Sequence, residues 1–112
     1  MYHYWFTRSI IDRDVRFHCL DRALQNMDAF LAMSRRVFLR QAVAALREAP
    51  QAAYHICPGE YLQLTAEDGM VEARILVFED TLPVRLPVEI FCRIVSEYLE
   101  EMDAMCREHG LL

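Results

Sequence analysis

Residues 61–87 read YLQLTAEDGMVEARILVFEDTLPVRLP, and the alternation within them decides the fold class. Residues 61–65 have a strand pattern, and Ala66-Glu67-Asp68-Gly69 is a turn with a glycine available for positive φ. Residues 70–78 return as a second strand. Val71, Ala73, Ile75 and Val77 make one face of it, and Glu72, Arg74, Leu76 and Phe78 the other. That second face is polar at one end and apolar at the other, so its later half expects a cover. Glu79-Asp80-Thr81 turns again into a third strand at 82–86, where Pro83 cannot donate to a ladder and marks a sheet edge. Pro87 then opens a helix, a position that suits its missing N–H. Val88, Phe91, Cys92, Val95, Tyr98, Leu99, Met102, Met105 and Cys106 line one side of that helix, and Gly110 ends it.

Working towards the N-terminus, residues 20–47 carry a second helical period. Leu20, Leu24, Met27, Leu31, Phe38, Ala42 and Ala45 share a face, and neither Gly nor Pro interrupts before Pro50. One straight helix of that length would measure about 42 Å, longer than the roughly 35 Å width expected of such a chain. Either it breaks near Ser34-Arg35, or its end packs on a second subunit. Residues 8–18 give mixed signals. Ser9 with Asp12 has the S-x-x-D form of a helix start, while Val15, Phe17 and Cys19 alternate like a strand. They are read as a turn plus a short irregular element. Residues 2–7 are an aromatic strand, either covered on both sides or presenting His3 and Trp5 to a partner. The expected fold is a single α+β domain over residues 1–112, in the order β-α-βββ-α. It has a three- to four-stranded antiparallel sheet, with a long N-terminal helix and an amphipathic C-terminal helix on one face.

Charge is sorted along the chain. All 12 basic residues are arginine, which hints at a GC-rich bacterial genome. Residues 1–50 hold eight arginines against five carboxylates, and residues 51–112 four against twelve, for a net −5. An acidic half of this kind selects cationic partners. The residues expected to meet such a partner are Glu67, Asp68, Glu72, Glu79 and Asp80, then Glu97, Glu100 and Glu101, with Trp5 as an aromatic anchor. The ordinary reading of the same letters is a solvated surface with local pairs such as Glu89–Arg93–Glu97.

Other chemistries are weakly served. Arg22, Arg35, Arg36, Arg40 and Arg47 are diluted by Asp21, Asp28 and Glu48, and a pI near 5.3 argues against a nucleic-acid partner. His55-x-Cys57 and Cys106-x-x-His109 do not have the paired short spacings of a zinc site, so neither metal nor cofactor is expected. Asp12, Asp14 and His18 suggest acid–base work, but a charged turn explains them equally. The four scattered cysteines suit reduced thiols, and the aromatic N-terminus lacks a basic leader. With no apolar run of roughly 20 residues, a cytoplasmic protein with no membrane partner is expected.

The acidic stretch quoted above, leading into VEIFCRIVSEYLEEMDAM at 88–105, resembles in layout and charge the small bacterial toxin-immunity proteins of the contact-dependent inhibition or polymorphic toxin type. That resemblance implies a non-enzymatic inhibitor that neutralises a basic, nuclease-like toxin domain. It carries over no family residue. The main alternative is a structural or adaptor homodimer, burying the overhanging helix and the Leu76/Phe78 end. A small-molecule enzyme is the second, requiring a pocket in which His18 or His55 meets a carboxylate.

Overall fold

Alternation builds the larger sheet. In a computed structural model, which describes residues 2–77 and 81–110, strands β3 (Tyr54–Ile56), β4 (Leu62–Glu67), β5 (Met70–Ile75) and β6 (Val84–Pro87) pair antiparallel in the order β3-β4-β5-β6. Register places Leu64 opposite Ala73 and Ala73 opposite Val84, with Ala66, Val71 and Leu86 forming the next row. These side chains are all buried, and the alternate row Thr65–Glu72–Arg85 faces outward. Asp68 (φ 53°) and Gly69 (φ 83°) both adopt the left-handed region, so the β4–β5 link is a tight two-residue hairpin. As Pro83 suggested, β6 is an edge strand.

Three helices cover the inner face: α1 (Met27–Met33), α2 (Arg36–Glu48) and α3 (Val88–Glu108). Phe30 of α1 meets Phe91 of α3 edge-on at 6.3 Å, both fully buried beside Leu39, Leu46, Ile94 and Met105. Burying side chains of this size contributes about 1.5–3 kcal/mol each. Pro87 caps α3 from just outside its first turn, and Gly110 (φ 63°) follows its end.

The helical period of residues 20–47 resolves into two helices preceded by a 3-10 turn at Arg22–Leu24. The break falls at Ser34-Arg35. Ser34 leaves helical geometry (φ −90°, ψ 141°), and its hydroxyl donates back to the Phe30 carbonyl at 2.6 Å. The Arg35 N–H turns outward to the Pro58 carbonyl at 3.2 Å. The protein measures 40 × 31 × 31 Å, so the chain folds back instead of overhanging.

The N-terminal segment differs from expectation. Residues 8–18 are not irregular: they complete a hairpin of β1 (Tyr4–Ser9) and β2 (Asp14–Cys19), a separate two-stranded antiparallel sheet. The Ser9–Asp12 pair that looked like a helix start closes the turn instead, with Ser9 Oγ accepting the Asp12 N–H at 3.3 Å. The order is therefore ββ-αα-ββββ-α. No helix among the described residues is long and apolar enough to cross a membrane.

Candidate interaction surface

The β1–β2 hairpin has two unlike faces because its aromatics alternate. Tyr4, Phe6 and Phe17 point inward, where Tyr4 and Phe17 stack at 5.5 Å and Phe6 leans on Tyr98 of α3 at 6.3 Å. Trp5 and His18 are opposite one another on the outer face and stack at 5.5 Å with their planes 18° apart. Thr7 Oγ1 lies 2.7 Å from His18 Nε2, so the imidazole is fixed from two sides. Trp5 remains 47% exposed, Ile11 at the hairpin tip 95%, and Leu20 at the opposite end 79%. Together these place a held indole between two bare apolar positions.

The carboxylates are distributed otherwise than their sequence clustering suggests. Glu72 projects from the open face of the larger sheet, where Arg74 Nε and Arg85 Nε (2.7 Å) both donate to it. Those two guanidiniums hold its carboxyl below the usual carboxylate range. Glu97 and Glu101 project from α3, on the other side of that sheet. Glu97 accepts the Tyr4 hydroxyl at 2.6 Å, and burial together with that carboxylate pushes the Tyr4 pKa up. Glu101 and Glu108 both take the Arg8 guanidinium at 2.7 Å, while Asp103 takes Arg40 at 2.8 Å and Arg36 at 3.6 Å. Glu100 is exposed, lining a shallow cleft with Arg40 and Arg47. Glu67 and Asp68 stand exposed at the β4–β5 turn, with no cationic partner among the described residues. Glu79 and Asp80, like Phe78, lie outside the described residues.

Three of the nominated carboxylates, Glu72, Glu97 and Glu101, are thus engaged within the molecule, and they face both sides of the sheet. Arg8, Arg36 and Arg40 from the basic half close on α3 in the acidic half, so charge sorting along the chain becomes charge pairing in space. Sequence reasoning could nominate acids but not see these partners, because pairs such as Arg8–Glu108 are 100 residues apart.

A further ion pair is internal to the N-terminal half. Burial pushes the Asp28 carboxyl up, but the Arg16 guanidinium and the Phe17 N–H outweigh it and hold the group below its ordinary value. A cleft of about 580 Å³, open to solvent, lies between Arg47, Gln51, Gly69, Glu89, Cys92 and Arg93. Neither His18 nor His55 lines it. Among the described residues no group of three or more His, Cys, Asp or Glu side chains is arranged to hold a metal ion. Cys92 is buried at the cleft floor, and burial raises its thiol pKa. The strand expected over 70–78 stops at Ile75, and Leu76 and Val77 just past it are both exposed, so the cover expected over Leu76 is absent among the described residues. No protein-family model, curated protein or solved structure matches this chain.

Proposed function

We propose that this chain is a non-enzymatic binding protein that works by occupying a partner protein, with the outer face of the β1–β2 hairpin as its contact surface. The observation that carries the reading is the Trp5–His18 stack, a half-exposed indole already held in place on a hairpin whose Ile10–Ile11 tip is also bare. A large aromatic fixed before binding loses little conformational freedom on contact, which is what favours Trp as an interface anchor.

The charge acts at longer range. With Glu72, Glu97 and Glu101 engaged internally, the net −5 steers a cationic partner towards the surface and adds less to the contact itself. The narrower form of the reading is an immunity-type inhibitor that blocks a basic, nuclease-like toxin domain. The net charge and the exposed Glu67–Asp68 pair support that form.

The test pairs this chain with the C-terminal domain of any secreted toxin-like protein encoded beside it, read by calorimetry and stopped-flow association. Trp5→Ala should weaken binding by about 10- to 100-fold, on the scale of a truncated aromatic anchor. Reversing Glu67 and Asp68 to Lys should slow association and flatten its salt dependence while leaving dissociation nearly unchanged. A Trp5→Ala variant that binds like the parent would remove the hairpin as the contact surface.

A further inference from the structure

The strand margins of this protein are not finished alike. On the larger sheet, β3 is only three residues long, and β6 ends in Pro87. The outer margin of β2 is closed by α1, since Asp28 Oδ1 accepts the Phe17 N–H at 2.8 Å. That bond also fixes the phase of the hairpin ladder. Phe17 donates away from β1, so Phe6–Phe17 is a non-hydrogen-bonded pair, and by alternation so are Tyr4–Cys19 and Arg8–Val15. The Leu20 N–H donating to the His3 carbonyl at 3.2 Å obeys the same phase. Tyr4, Phe6 and Arg8 therefore direct their backbone N–H and C=O groups away from β2.

Nothing among the described residues pairs with β1 on that side. The inward rings record the gap. On β2, Val15 and Phe17 are 1% and 3% exposed, whereas Tyr4 and Phe6 on β1 are only half-buried although they point the same way. A six-residue aromatic strand with an open margin and no proline or bulge is a template for another strand.

We propose that this margin pairs with the same margin of a second copy, antiparallel about a two-fold axis at Phe6, giving a continuous β2-β1-β1-β2 sheet. The ladder phase selects the register. With Phe6 on the axis, Tyr4 of one copy faces Arg8 of the other, and all the outward-directed residues meet as hydrogen-bonded pairs. Charge favours the same arrangement. At the Arg8 end one guanidinium serves both Glu101 and Glu108, leaving a carboxylate in excess. At the Tyr4 end Arg93 stands beside the tyrosine hydroxyl and Glu97. Antiparallel pairing sets the carboxylate-rich end of each copy against Arg93 of the other, whereas parallel pairing would set like ends together. The contact is small, so a micromolar dissociation constant is expected. The inference does not rest on the partner-binding reading, and its test needs no partner.

Sedimentation of the full chain from about 1 to 500 μM should show a monomer becoming a dimer. Hydrogen exchange at high concentration should slow the Tyr4, Phe6 and Arg8 amides at least tenfold relative to dilute protein, and leave those of β6 unchanged. Arg8→Pro removes one outward N–H and should abolish dimerisation. Arg8→Ala keeps that N–H and should weaken dimerisation by less than tenfold. A monomer throughout the range, or a dimer whose β1 amides gain no protection, would overturn the proposal. So would an Arg8→Pro variant that dimerises like the parent. The exchange measurement on the unmodified chain decides the matter even if the proline variant does not fold.

Discussion

Tyr98 carries its hydroxyl into the space between α3 and the hairpin, and burial, with a smaller contribution from Asp14, pushes its pKa from 10.0 to about 12. In the unfolded chain the same group ionises near its ordinary value. The stability it lends is complete below pH 10 and is lost as pH rises from there through about 12, because over that window the unfolded state gives up the proton first. The thermal midpoint should therefore fall through this window, and Tyr98→Phe should fall less steeply, as followed by circular dichroism with tyrosinate absorbance alongside. At this scale the sequence was partly legible. Asp68-Gly69 announced its turn because positive φ demands few residue types. At the other hairpin positive φ falls on Arg13, which announces nothing, and the Ser9–Asp12 bond serves a turn as readily as a helix start.

The helical period of residues 20–47 depends on one junction for its two-helix form. Pro58 accepts the Arg35 N–H, and Gly59 passes so close to the end of α1 that an added Cβ would come within 2.8 Å of the Met33 carbonyl and 2.9 Å of Leu62 Cδ1. The carbonyl is backbone and cannot swing aside. Gly59→Ala should therefore destabilise the protein by about 1–3 kcal/mol, measured by urea denaturation, whereas Gly110→Ala has open space around it despite its positive φ. Periodicity could identify the apolar face of these helices but not their break, which is made by a loop distant in sequence. Strand β3 escaped notice for a related reason: its three residues are a strand only because β4 lies beside them. The β4–β5 hairpin, β6 and α3 were readable, since alternation, turn chemistry and proline all agreed there.

Across the whole molecule, arginines of the first half pair with part of the acidic set, the carboxylates of α3. Arg36 and Arg40 on α2 share Asp103 on α3, and all three side chains reach solvent, so their attraction is open to screening. An Arg36→Gln/Arg40→Gln variant should lose under about 1 kcal/mol at low ionic strength. The loss should shrink in 1 M salt, where the screening length is about 3 Å, as read by parallel urea titrations. The hairpin adds a consequence in time. Its inner aromatics rest on α3, so Tyr4 meets Glu97 and Arg8 meets Glu101 only after residue 88 and its successors exist. Ribosomal synthesis runs from the N-terminus, so Phe6 and Phe17 leave the exit tunnel long before the helix they lean on. Until residues 88–108 are made, this aromatic hairpin lacks the helix its inner rings rest on, so those rings are open to chaperones that shelter emerging aromatic segments.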